Sequence, residues 1–346
     1  MADDHLPLID VGPLLTQPLT TGGAGASTVG RAGAEVAAAV DAACRRYGFF
    51  RITGHRVAPG ARAELGRLAH DFFSRSVRDK EQIAMARGGA AWRGWFPLGG
   101  ELTSGRPDQK EGLYFGTDLP AAHPAVRAGR PLHGPNLYPA EPAGLATAVP
   151  AWMAAMTDLG QRLLAAMGVG LGLDPGWFGR TVTEDPTVLF RIFRYPPTAD
   201  AGWGVAEHTD YGLLTLLAQD GNDGLEVRGP DGWIAVPGDP EVLVVNLGDM
   251  LERLTGGRYR STPHRVRNTG DVDRLSFPCF VDPSWDAVCP ILPLADGAGP
   301  AAAAPRWDDA DPRAWTGTYG DYLTAKVARV FPGLQPAITR PPGGRP

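Results

Sequence analysis

Residues 187–195 read TVLFRIFRY and stop at Pro196-Pro197. The run is rich in β-branched and aromatic residues, and the double proline bars its continuation, so it predicts a strand. The chain keeps this texture afterwards, with GLLTLLAQD (212–220), GLEVRG (224–229), WIAVP (233–237) and EVLVVNLG (241–248). RSTPHRVRN (260–268) and RLSFPCFVD (274–282) follow, and turn signals such as GND and GPDG separate the early runs. Short strands at this spacing predict an antiparallel sandwich or barrel such as a jelly roll.

Upstream, the apolar period is that of helices. Across 34–47, Val36, Val40 and Cys44 recur every four residues, and Gly48 stands as the stop. GFFRIT (48–53) reads as a short buried strand. Helices are expected over 61–77, with Leu65, Leu68, Phe72 and Phe73 on one face, and over 149–170, where Met153, Met156, Leu159, Leu163 and Met167 align. YGDYLTAKVARVFP (319–332) predicts a closing amphipathic helix. No clean linker divides the chain. The expectation is a single catalytic domain over 1–346, mainly β with packed helices: a mainly helical region (1–180), a jelly-roll core (187–295) and a C-terminal helix (310–335).

The composition is that of a globular protein, with 43% apolar and 21% charged residues. A net charge of −5 and the lack of a basic run argue against nucleic acid or an anionic membrane as partner. No apolar stretch is long enough to span a bilayer. The acidic start, MADDHLPLID, lacks a signal-peptide core, which predicts a cytoplasmic protein. The expected partner is a small-molecule substrate, and the expected state a monomer or weak oligomer. Three cysteines without C-x-x-C spacing argue against a disulfide framework. Gly- and Pro-rich tracts at 20–33, 295–305 and 341–346 read as mobile surface insertions.

Within the strand region, EHTDYG (207–212) places His208 and Asp210 two positions apart, so on one face of an extended segment. The pair is either a metal site or a polar turn. Of seven histidines, only His264, in STPHRV, lies on another predicted strand of the β region. Two imidazoles and one carboxylate on a rigid sheet are the ligand set of non-haem Fe(II) oxygenases, with open positions for a bidentate cosubstrate and dioxygen. Arg274 and Ser276 again share a strand face. A guanidinium fork beside a hydroxyl suits a carboxylate, such as the far carboxylate of a dicarboxylate on the iron.

With these residues in view, the sequence resembles the 2-oxoglutarate/Fe(II)-dependent dioxygenases of the isopenicillin N synthase-like group. HTDYGLLTLL (208–217), VNLGDMLERLTGGRYRSTPHRVRN (245–268) and RLSFPCFVDP (274–283) are similar to the family's catalytic core. RYGFFRITGH (46–55) and PDQKEGLYFG (107–116) match segments found before it, so the likeness spans nearly the whole chain. It implies a double-stranded β-helix, or jelly roll, with N-terminal helices packed on it. It also implies Fe(II) on His208, Asp210 and His264, with 2-oxoglutarate and O2 as cosubstrates. The C5 carboxylate would lie on Arg274 and Ser276, with Tyr195 facing the cosubstrate. The activity implied is oxidative decarboxylation of 2-oxoglutarate to succinate and CO2, coupled to hydroxylation, desaturation or ring formation on a small organic substrate. Some relatives, isopenicillin N synthase and aminocyclopropanecarboxylate oxidase among them, need no 2-oxoglutarate and bind their own substrate's carboxylate there. An Fe(II) oxidase or cyclase of that kind is the alternative.

Substrate contacts are expected from 91–116, a segment rich in aromatic and charged residues ahead of the core. Its candidates are Arg93, Trp95, Lys110 and Tyr114, with Glu111 beside them. The sequence does not identify the substrate.

Overall fold

The computed structural model describes residues 5–331, apart from 17–18, 22–26, 29, 59, 198–202, 269, 293–305, 307 and 309–310. The tracts at 295–305 and 341–346, and much of 20–33, lie outside the described residues. In chain order the first strands are β1 (Leu8–Asp10), β2 (Thr20–Thr21), β3 (Ser27–Thr28), β4 (Phe49–Thr53), β5 (Gly94–Phe96), β6 (Leu102–Thr103), β7 (Arg106–Pro107) and β8 (Glu111–Gly116). The core strands are β9 (Pro186–Tyr195), β10 (Val205–His208), β11 (Leu214–Gln219), β12 (Leu225–Arg228), β13 (Trp233–Val236), β14 (Leu243–Leu247), β15 (His264–Val266) and β16 (Arg274–Ser284).

Eight of them make one sheet in the order β1-β4-β14-β11-β16-β9-β8-β5, and a four-stranded sheet runs β10-β15-β12-β13. Only β1 with β4 pairs in parallel within the large sheet. The two sheets form the jelly roll, and a cavity lies between them, lined from the large sheet by β9, β11 and β16 and from the small one by β10, β12 and β15.

Pleating explains why β9 and β16 read as near-continuous apolar runs. Leu189, Arg191, Phe193 and Tyr195 face the cavity, whereas Phe190 and Ile192 are buried on the opposite face. On β16, Arg274, Ser276, Pro278 and Phe280 line the cavity, and Leu275, Phe277, Cys279 and Val281 are fully buried between them. Helices cover that second face. The Leu145–Gly170 helix comes so close that a Cβ on its Gly160 would meet Val281 Cγ2 at 2.9 Å. The expected Val36, Val40 and Cys44 stripe is buried on the Arg31–Arg46 helix.

Three local differences have physical causes. The helix expected over 61–77 ends at Phe73, and Ser76 caps a separate turn, Val77–Lys80, by accepting from the Asp79 amide. The helical N-terminal region also contributes β1, β4, β5 and β8 to the large sheet, because β8 pairs with β9 along its whole length. A short helix, Asp249–Leu254, follows β14, where no element was expected. No helix among the described residues is long and apolar enough to cross a membrane.

Candidate metal and carboxylate site

His208 ends β10, His264 begins β15, and antiparallel register sets them directly opposite each other. Their ring centroids are 4.1 Å apart. Asp210, two residues past β10, turns Oδ1 to within 4.0 Å of His208 Nε2 and 3.9 Å of His264 Nε2. One ligand atom from each residue fits within a 4.8 Å cluster.

The outer partners fix how these atoms are presented. His208 Nδ1 lies 2.9 Å from the Ala206 carbonyl and His264 Nδ1 lies 3.2 Å from that of Thr262. A carbonyl only accepts, so each Nδ1 carries the proton and each Nε2 keeps a lone pair for the cluster. Burial holds both imidazoles below their ordinary pKa, with each other's charge adding to this at His264. Burial alone would raise the Asp210 carboxyl, but the two imidazoles and hydrogen bonds from Thr215 and Asn246 hold it below its usual range. Asn246 Nδ2 donates to Oδ2 at 2.6 Å and Thr215 Oγ1 donates to the same oxygen, which leaves Oδ1 for the cluster. The backbone between strands is tight here: a Cβ on Gly212 would overlap Asp282 Oδ1. Three convergent donors, two neutral and one anionic, suit a divalent cation.

Arg274 lies one strand-end away and is wholly buried. Nη2 donates to Gln219 Oε1 at 2.9 Å, while Nε and Nη1 are buried without a partner. Gln219 is itself oriented, because its Nε2 donates to the Pro237 carbonyl. Ser276 Oγ and the Tyr195 hydroxyl stand 3.5 Å apart beside this guanidinium, and β16–β9 register places Tyr195 opposite Arg274. A buried cation with unmet donors next to two hydroxyls fits a carboxylate.

Of the residues expected to touch substrate, Lys110 alone lines the cavity. It is already committed, donating to Asp108 Oδ2 at 2.6 Å and pairing with Glu101 Oε2 at 2.8 Å. Tyr114 turns its hydroxyl to Glu101 at 2.5 Å and packs behind the wall. Arg93 and Trp95 do not reach the cavity. Arg93 donates to the Leu132 carbonyl, and burial draws its pKa down to about 10. The Trp95 indole donates to Glu111 Oε2, which also pairs with Lys80, while Glu111 Oε1 pairs with Arg194. The expected segment does reach the cavity, through residues 101–105 and Lys110. Aromatic and charged composition cannot distinguish a wall residue from a buried ion network, however, and Arg93, Trp95 and Glu111 belong to the network. Sequence reasoning missed Thr215, Asn246 and Gln219 around the two anchors. Their alternation along β11 and β14 with apolar neighbours was the available signal.

Two family models match the chain: the 2OG-Fe(II) oxygenase superfamily over 185–283, and the N-terminal region of non-haem dioxygenases in morphine synthesis over 6–141. A protein of Dictyostelium discoideum named as a probable iron/ascorbate oxidoreductase is 40% identical over 324 residues, covering 86% of this chain and 89% of that one. A 2-oxoglutarate-dependent dioxygenase of Aspergillus niger is 34% identical over 270 residues, covering 75% and 81%. Among solved structures, a 2OG-Fe(II) oxygenase family protein of Caulobacter crescentus superposes with a TM-score of 0.75 at 26% identity, covering 94% of this chain and 99% of that one. The chain belongs to the 2OG-Fe(II) oxygenase superfamily and is a 2-oxoglutarate-dependent Fe(II) dioxygenase, an oxidoreductase.

Proposed function

We propose that His208, Asp210 and His264 are the iron ligands, and that Arg274, Ser276 and Tyr195 receive the C5 carboxylate of 2-oxoglutarate. The whole chain would then work as one catalytic domain on a small organic substrate, most simply by hydroxylation. The observation that carries this is the direct opposition of His208 and His264, with Asp210 beside both. When bound, Fe(II) supplies the redox chemistry that couples loss of CO2 from 2-oxoglutarate to oxidation of the substrate.

The chain's own work is positioning. The Ala206 and Thr262 carbonyls orient the imidazoles, and Thr215 with Asn246 holds Asp210 to one oxygen. Arg274, itself oriented by Gln219, anchors one end of the cosubstrate. The apolar strand faces around the cavity limit water at the reacting centre. Anaerobic titration with Fe(II) and then 2-oxoglutarate tests the assignment. The visible metal-to-ligand charge-transfer band should rise to one equivalent. Its absence at saturating iron would refute the assignment.

A further inference from the structure

We propose that the cavity mouth holds a second carboxylate site, built on Arg191 and supported by Arg329, and that the substrate is a small organic acid with an apolar body. This rests on reading the cavity as the reaction chamber, and it assigns the end of that chamber away from Arg274.

Arg191 lies on the cavity face of β9, four residues before Tyr195 and so roughly 13 Å along the strand from the cosubstrate end. Its guanidinium carbon lies over two rings, 4.1 Å from the centroid of Tyr114 and 4.8 Å from that of Phe280. Two aromatic contacts hold the guanidinium in place while its N–H donors line the cavity wall. The side chain keeps 14% exposure, and its nearest carboxylate, Glu101, stands 3.7 Å away. Glu101 is already bound by Lys110 and by the Tyr114 hydroxyl. A planar guanidinium fixed in a cavity wall suits a planar anion, which a carboxylate is and an ammonium or amide is not.

Charge at the mouth points the same way. The acidic side chains that line the cavity are each engaged. Glu101 faces Lys110, Asp308 faces Arg306, Asp282 accepts from the Tyr319 hydroxyl and the Leu213 amide, and Asp210 belongs to the metal cluster. The C-terminal helix, Tyr319–Val330, lays Lys326 and Arg329 along the opening. Lys326 pairs with the buried Asp249 at 3.3 Å, while Arg329 is exposed and has no ion pair among the described residues. The least engaged cations are therefore Arg191, whose ion pair is a 3.7 Å contact to a Glu101 that it shares with Lys110, and Arg329. The same cavity wall also carries apolar or aromatic side chains, Leu189, Phe280, Leu323 and Val330. A volume of about 370 Å³ must also admit 2-oxoglutarate, so the second molecule is small.

The test uses the full chain loaded anaerobically with Fe(II) and 2-oxoglutarate. Benzoate, phenylacetate, 3-phenylpropanoate and octanoate are titrated against their primary amides and against inorganic phosphate. Binding is followed by calorimetry and by perturbation of the charge-transfer band. At least one acid should bind tenfold or more tighter than its amide, roughly the effect of one charge-assisted pair, and phosphate should not compete. Arg191→Gln should weaken that acid by roughly 10- to 100-fold without moving the amide. Arg329→Gln, on an exposed turn that cannot disturb the core, should weaken it about threefold, as a screened surface charge would. The idea fails if no acid binds, if acids and amides bind alike, if phosphate competes, or if the preference survives both substitutions. Should the band never form while calorimetry still shows acid binding lost in Arg191→Gln, the iron assignment falls and the anion site stands.

Discussion

The two ends of the cavity are built in opposite ways. At the inner end, the proposed iron and cosubstrate groups come from i, i+2 pairs: His208 with Asp210, and Arg274 with Ser276. Arg274 and Ser276 share one strand face by pleating, Asp210 turns back on His208 from two residues past β10, and register sets His208 against His264 and Arg274 against Tyr195. At the mouth, Arg191 comes from β9, Glu101 and Lys110 from the two sides of the β6–β7 hairpin, and Lys326 and Arg329 from the C-terminal helix. Apart from Lys326 and Arg329, three residues apart on one helix, these groups share no local period. Chemistry sits where backbone geometry is over-determined, and selectivity sits where distant segments happen to meet.

The comparison is broken most sharply at the metal. His208→Ala should abolish the charge-transfer band and take coupled turnover below detection. The side chain is 27% exposed, so the melting profile should stay within about 1 kcal/mol of the parent. Asp210→Glu should fail as well, since a longer carboxylate leaves the Thr215 and Asn246 donors that fix its outer oxygen. Band formation in either variant would mean that the inner end is not set by these positions.

Next comes the carboxylate anchor. Arg274→Lys keeps the charge but loses the fork that presents two donors together. In a site with no exposure, affinity for 2-oxoglutarate should fall by roughly 2–4 kcal/mol, measured as the shift in the band's titration midpoint. Unchanged affinity would show that the guanidinium serves something other than the cosubstrate.

A smaller effect is expected one layer out. Asn246→Ala removes one of two donors to Asp210 Oδ2, and such outer partners typically shift metal affinity by roughly 10- to 100-fold. Competition with a calibrated chelator would measure it. No change would mean that Thr215 alone holds the carboxylate.

Those three sites also mark how much the sequence disclosed. Arg274 and Ser276 were legible because a strand's two-residue period puts them on one face. The proposed ligands His208, Asp210 and His264 were legible because H-x-D with a histidine on a second strand is a metal-binding pattern, although Asp210 itself lies past the end of β10. Asn246 and Gln219 were not, since a buried amide on a strand reads the same whether it orients a ligand or closes a turn. β5 and β8 escaped notice because Arg93, Lys110 and Glu111 look solvent-facing, and nothing local announces that Lys80 and Arg194 pair with Glu111, Asp108 with Lys110, and the Leu132 carbonyl with Arg93. Arg191 was hidden inside TVLFRIFRY, whose strand character was plain while the face it turned inward was not. The helices were readable from their apolar stripes, although the break at Ser74–Ser76 depends on a cap rather than on period.

Arg93 gives the smallest functional effect, and it separates a wall residue from a merely nearby one. Its guanidinium donates to the carbonyl of Leu132, a residue held at φ 60° in the left-handed region, and it fills the space over Gly116, where a Cβ would meet Nη2 at 2.1 Å. Arg93→Met retains most of the packing but drops that hydrogen bond, leaving a strained turn with an unpaired acceptor. Stability should fall by about 1–3 kcal/mol, a downward shift of a few degrees in melting temperature. The band, the 2-oxoglutarate midpoint and the acid-over-amide preference should all stay where they are, because Arg93 touches neither end of the cavity. If instead the acid preference changed while the melt did not, Arg93 would belong to the mouth, and selectivity would extend into a part of the fold that the geometry assigns to support.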